Sequence, residues 1–256
     1  MEAALAERGV IVERGVEAVS VGRAGGQAIV EIQSGEARST ITADSVLGAG
    51  GAGSLVRESL GISFDGEAYD EPWRLYDLEL EDVPMPRDEA NIVIHDKGGM
   101  FLVRHHDNLW RVLGNVPEML SQLPTGTKVG RIHWESDFGI SNRVAGRFAE
   151  PPFYLAGDAA HIHSGIGARG MNLGIEDAYV FAELYDRGQL DRYDSLRRPV
   201  VEKVVSQIKR AMGPPRPATA LGRLVRSAPW LVPIVIGLVR KPAQRWILGL
   251  DHELGL

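Results

Sequence analysis

The chain has no cysteine among its 256 residues. That excludes disulfides, thiolate metal centres and cysteine nucleophiles, and it is compatible with a reducing compartment. It has no basic surplus either: 28 Lys and Arg stand against 34 Asp and Glu, a net charge of −6. A nucleic-acid surface, which needs a basic stripe, is excluded. The longest apolar run, Trp230 to Val239, is interrupted by Pro233, and it is too short to span a bilayer, which takes about twenty residues. Flanked by Arg226, Arg240 and Lys241, it reads as a buried or dimer-forming helix, with a membrane-facing helix as the alternative. Met1 is followed by "EAALAERG", charged and helical, so no leader peptide is read and a cytoplasmic location is expected. Internal repeats, a Ser-His-Asp spacing, a zinc cluster and a kinase-type phosphate loop are all missing. At 44% apolar and 24% charged, the composition is that of a globular protein with a substantial core.

Charge is uneven along the chain. Between Arg197 and Arg245, eleven Lys and Arg face a single acid, Glu202, whereas residues 1 to 196 carry seventeen bases and thirty-one acids. A basic C-terminal region packed on an acidic body is expected.

The pattern predicts a helix ending near Arg8, stopped by Gly9. Three β-rich runs follow, "VIV", "VEAVSVGR" and "QAIVEIQS", separated by turn chemistry, and they suggest an antiparallel meander. "ITADSVLGAGGAGSLVRESLGI" reads as a strand ending near Ala49, a glycine turn and a short helix carrying Arg57. Alternating strands from Ser63 to about Phe148 predict a second antiparallel sheet with one wet face. After it come a glycine-rich loop, a capped helix over 170–186 with Met171, Ile175, Ala178, Ala182 and Tyr185 along one stripe, a stop at Gly188, and a further helix over 191–212 that meets Pro199.

The loop, "YLAGDAAHIHSGIGARGMNLGIEDA" over residues 154–178, holds the chemistry. Gly165, Gly167 and Gly170 allow backbone conformations closed to other residues and let a ligand approach closely. The amides opening the next helix favour an anion or a polarised carbonyl. Gly157, Asp158, Ala159, Ala160, His161, Gly167, Gly170, Asn172 and Asp177 at these offsets resemble the flavin-proximal motif of the FAD-dependent aromatic hydroxylases, single-component flavoprotein monooxygenases with a para-hydroxybenzoate hydroxylase-like fold. "ADSVLGAGGAGSLVRESLGI" resembles the second fingerprint of that family, and "IHWESDFGISNRVAGRF" its last substrate-domain strand.

The resemblance implies an α/β (α+β) fold: a remnant of the FAD-binding domain over 1–62 and 149–213, a substrate sheet over 63–148 and a C-terminal helical region over 214–256. It implies that Asp158 holds the ribityl chain, with Gly167, Gly170, Asn172 and Arg57 completing the flavin site. Three departures matter. The strand, G-x-G-x-x-G turn and helix that bind the ADP half have no counterpart, Gly50 stands for the Asp of the second fingerprint, and Gly165 and Gly167-Ala168 replace a proline and a glycine pair. The missing contacts predict loss of most of a nanomolar affinity, about 12 kcal/mol, so no cofactor is expected on the chain alone.

The leading expectation is therefore an FAD-independent enzyme on a flavin monooxygenase-like scaffold, catalysing cyclisation, cycloaddition or rearrangement of a bulky lipophilic natural-product intermediate. The alternatives are an FAD- and NAD(P)H-dependent monooxygenase completed by another chain, and a non-catalytic small-molecule binding protein. His161 and His163 are candidate acid–base groups, or satisfied loop histidines. Arg169 is a candidate ligand for an enolate or carboxylate, or a surface residue. His105 and His106, adjacent on a strand, point to opposite faces and make no metal site. Glu176 and Asp177 read as acids complementing the helix dipole, and Tyr69, Trp73, Tyr76 and Trp110 as pocket lining or sheet core. A homodimer is one way to cover an exposed edge.

Overall fold

The computed structural model describes residues 2–95, 98–165 and 169–212, together with 252, 254 and 256. Gly167 and the apolar run Trp230–Val239 lie outside the described residues. In chain order the elements are α1 (Glu2–Ala6), β1 (Glu17–Ala24), β2 (Gln27–Ser34), β3 (Ala37–Ala43), β4 (Val46–Gly48), α2 (Leu55–Ser59), β5 (Phe64–Glu81), β6 (Asn91–His95), β7 (Gly98–His106), β8 (Leu109–Gly114), β9 (Lys128–Ala145), β10 (Ala149–Glu150), β11 (Phe153–Leu155), β12 (His161–Ile162), α3 (Gly170–Asp186) and α4 (Tyr193–Met212). Two compact units result, Met1–Gly66 with Asn142–Leu256, and Glu67–Ser141.

In the first unit, β1, β2 and β3 form an antiparallel meander. Its turns use Gly25, Gly26 and Gly35 at positive φ, where glycine carries no steric penalty. The run Val10–Val12, expected to be a strand, is not one, and its residues are 50%, 84% and 46% exposed. The third strand of the meander is Ala37–Ala43 instead. The segment read as one strand to Ala49 breaks at residues 44–45, because β3 pairs with β2 while β4 pairs in parallel with β11 in a separate sheet, order β10-β11-β4. A Cβ on Gly48 would lie 2.9 Å from Val56 Cβ, so only glycine lets α2 close onto β4.

The core of this unit gathers Phe148, Phe153, Leu155, Val180, Leu184, Tyr193 and Val201. Full burial of side chains such as Leu184 and Val180 contributes about 1.5–3 kcal/mol each. α3 spans the predicted residues and stops at Gly188, whose φ is 64°. Its buried face is Leu173, Asp177, Val180 and Leu184. The stripe expected to be the core face is the outer one: Met171 is 74% exposed, Ile175 52% and Tyr185 53%. Arg169, at the N-cap position, makes no side-chain capping bond, so the expected capping is absent at that end. α4 continues through Pro199 and buries Val201, Val204 and Ile208.

The second unit is an antiparallel sheet in the order β9-β5-β8-β7-β6. Period-two alternation sends Tyr76, Leu78 and Leu80 of β5, Met100 and Leu102 of β7, and Trp110 and Val112 of β8 to one buried face. Asp77 and Arg111, paired across β5 and β8, alternate with them on the wetter face. The far ends of β5 and β9 belong to the first unit, where β12 pairs with β9 through His161↔Val144. Among the described residues, no helix is long and apolar enough to cross a membrane.

Candidate functional site

β11 ends at Leu155 and the chain turns through a single 3-10 turn, Gly157–Ala159. Gly157 has φ 58°, a conformation that glycine adopts without strain. The turn rests directly on α3: a Cβ on Gly174 would lie only 3.1 Å from Gly157 Cα. One helical turn further along α3, Asp177 is fully buried. Its Oδ2 accepts from the Gly157 amide at 3.0 Å and from His161 Nε2 at 2.7 Å, and its Oδ1 accepts from Arg197 Nε at 2.8 Å. Three charge-assisted bonds thus converge on one carboxylate. Burial alone pushes Asp177 up, but the hydrogen bonds and charges of His161 and Arg197 outweigh it and hold the group below its ordinary value. Arg197 also reaches Glu176 at 3.1 Å, and Glu176 accepts from His252 at 2.9 Å.

His161 is 1% exposed, stacks on Phe148 with centroids 6.0 Å apart, and among the described residues has no hydrogen-bond partner at Nδ1. The network therefore assigns its proton to Nε2. His163 stacks on His161 at 6.5 Å and donates from Nδ1 to the Ser164 carbonyl at 2.9 Å. Burial lowers its pKa, so the ring is neutral at neutral pH. Among the described residues its buried Nε2 has no hydrogen-bond partner, and it lies 3.7 Å from where a Cβ of Gly170 would sit, at the start of α3.

Arg57 closes the other end of the turn. It is 5% exposed, donates to the carbonyls of Ala159 at 3.2 Å and Ala52 at 2.6 Å, and lies over the Phe64 ring at 4.0 Å. Burial lowers its pKa. The glycine turn after β4 and the Gly157–Ala159 turn are joined through this one guanidinium.

Beside the turn is an open cleft of about 400 Å³, lined by Leu47, Ala49, Gly51, Ala156, Met171 and Ile175, with Asp158 on its rim. Asp158 is exposed. Asn172 is half-buried in the first turn of α3, with Gly170 as its first residue. Arg169 is 1% exposed, so it is not the surface residue weighed above, and its Nη2 lies 3.3 Å from His252 Nδ1. Trp73, Tyr76 and Trp110 are buried. His105 lies 3.9 Å from Asp77, and among the described residues no group of metal-ligating side chains converges.

The structure brings Asp158, His161 and His163 to one loop and ties Arg57 to it. The sequence reading placed Asp177 in the motif but took it for a helix-dipole acid, and it gave Arg197 no role. One signal was available: Asp177 falls on the apolar spacing Leu173–Val180–Leu184, where an acid needs a buried partner. The residues fit a flavin on three counts: a carboxylate on the rim of an apolar cleft, an orphaned buried nitrogen on His163, and a long helix opening beside it.

Comparison with known proteins agrees. The profile described as "FAD binding domain" matches residues 1–113 and 115–208. A 6-methylpretetramide 4-monooxygenase of Streptomyces rimosus is 30% identical over 98% of this chain and 48% of its own length. A rifampicin monooxygenase of Streptomyces venezuelae is 31% identical over 82% of this chain and 51% of its own. The solved structure of OxyS anhydrotetracycline hydroxylase from Streptomyces rimosus superposes with a TM-score of 0.72 over 98% of this chain and 55% of that one, at 23% identity. The chain spans about half the length of these relatives.

Two expectations fall. The FAD-independent cyclase gives way because the relatives are named as monooxygenases, and the expected absence of a cofactor gives way because the FAD-binding profile runs through both fingerprint turns. The expected loss had rested on the ADP-binding unit without a counterpart and on Gly50, whereas the Asp158 turn, its Asp177 and Arg57 clamps and the start of α3 are all in place. This chain belongs to the FAD binding domain family.

Proposed function

We propose that this chain carries the flavin-ring side of the FAD site and the substrate sheet of an FAD- and NAD(P)H-dependent aromatic monooxygenase. The observation that supports the reading is the Gly157–Ala159 turn, held between α2 and α3 and presenting Asp158 to an apolar cleft. Asp158 accepts hydrogen bonds from the hydroxyls of the ribityl chain. Gly170 and Asn172, with the first amides of α3, face the electron-rich edge of the ring system. Arg57 joins the two fingerprint turns and does not itself touch the flavin. His161 and Arg169 support the loop, and His163 stays neutral beside the start of α3. The adenine half requires a strand, G-x-G-x-x-G turn and helix, which we place outside the two glycine turns of this chain.

Bound FAD would supply the redox chemistry, taking a hydride from NAD(P)H and delivering one oxygen atom of O₂ to an aromatic ring while the other leaves as water. The substrate class follows from the relatives, which act on a pretetramide and on rifampicin by name: an extended, lipophilic aromatic small molecule with a phenolic ring.

The test is the visible absorption spectrum of the purified protein, followed by FAD titration and NAD(P)H oxidation with polycyclic phenols. The reading expects saturable flavin binding and substrate-stimulated NAD(P)H consumption, with a product one oxygen atom heavier. Absence of saturable FAD binding overturns it, and binding without turnover of any aromatic favours a binding protein.

A further inference from the structure

Asp158 carries the motif, yet the turn that presents it is held by its neighbours. The amide of Gly157 is bound by Asp177 Oδ2 at 3.0 Å and the carbonyl of Ala159 by Arg57 Nη1 at 3.2 Å. Each holder is itself fixed: Asp177 by Arg197 and His161, Arg57 by the Ala52 carbonyl and the Phe64 ring. Between the two holders only the Asp158 side chain is exposed, since Ala159 is fully buried and Gly157 half-buried.

We propose that Asp177 is the positioning residue of the cofactor cleft, holding the Gly157 amide so that, with Arg57 at the far end, the turn presents the Asp158 carboxylate to the polyhydroxyl chain of a flavin. The ligand in this inference rests on the monooxygenase reading; the geometry of the turn does not. Gly174 sets the spacing. A Cβ at that position would approach Gly157 Cα to 3.1 Å, so one of the two must give by a few tenths of an ångström. An alanine there pushes the turn off α3 and lengthens the Gly157–Asp177 bond.

Gly174→Ala separates position from stability, because alanine favours a helix interior over glycine. The variant is expected to keep or raise its melting temperature. At the same time amide exchange in the peptide containing Gly157 should quicken, and FAD should bind about tenfold more weakly, the loss expected from one ordinary hydrogen bond. Asp158→Asn should weaken FAD binding in the wild-type background and add nothing in the Gly174→Ala background. A methyl group that merely blocked the cleft would give additive losses. Asp177→Asn should free the Gly157 amide more fully but also lower the melting temperature, since Arg197 loses its fully buried counter-charge and keeps the partly exposed Glu176.

Wild-type exchange at Gly157 in both Gly174→Ala and Asp177→Asn overturns the proposal, as do additive losses in the cycle or unchanged FAD affinity in Gly174→Ala. If the wild-type protein binds no FAD, the monooxygenase reading falls and takes the flavin role of Asp177 with it. Amide exchange then decides whether Asp177 holds the turn.

Discussion

Each unit contains an aspartate–arginine pair, and by contacts alone the weaker one looks stronger. In the second unit, Arg74 grips Asp137 with two bonds, at 2.6 and 3.1 Å, at side-chain exposures of 55% and 63%. In the first unit, Arg197 makes a single bond to Asp177 at 2.8 Å, with both side chains fully buried. The exposed pair raises Arg74 and lowers Asp137 from their ordinary values through the shared hydrogen bond. Solvent screening leaves little of that as stability. In the buried pair each charge depends on the other, because neither can return to water while the protein is folded. Geometry is similar, and burial decides the consequence.

The comparison breaks most readily at Arg197. Arg197→Ala leaves the buried Asp177 carboxylate with the Gly157 amide and His161 but without its arginine counter-charge, and it is expected to lower unfolding free energy by about 3–5 kcal/mol in chemical denaturation. The acid limb sharpens the same point. Asp177 is held below its unfolded value, so its contribution is full above about pH 4 and is lost as pH falls through the lowered folded value. Asp177→Asn should flatten that limb in thermal melts taken across the acid range.

Tyr193→Phe ranks next. Its hydroxyl donates to the Leu155 carbonyl at 2.8 Å inside the core, and losing that bond should cost about 1 kcal/mol. His163→Gln should act more weakly. The folded His163 pKa is lowered by burial, so wild-type stability declines as pH drops below about 6.5 towards that value. The variant should lose this slope. Smallest of all, Arg74→Ala should leave the denaturation midpoint unchanged. A large loss there, or none at Arg197, would reverse the comparison.

Much of the fold is legible in the residues. The alternation Tyr76–Leu78–Leu80 orients β5, and α3 begins and ends where Gly170 and Gly188 place it. The orientation of α3 is not legible, because the helix carries two apolar stripes. Met171–Ile175–Tyr185 and Leu173–Val180–Leu184 both follow a helical period, and only packing against Tyr193 and Val201 identifies the second as the core face. That reversal also conceals Asp177, which looks like a solvated helix acid until its face is known to be buried. Val10–Val12 has strand-forming residues but no partner strand, and propensity without pairing makes no sheet.

By itself, the sequence determined the two glycine turns, the helix between Gly170 and Gly188, and the alternating sheet, since local propensity, turn chemistry and periodicity act over a few residues. The tertiary structure decided which face of α3 is buried, which acid holds the loop, and that Arg57 joins two turns about a hundred residues apart in the chain. Those outcomes depend on contacts between distant segments, whose formation costs chain entropy and whose benefit appears only once the core has closed around them.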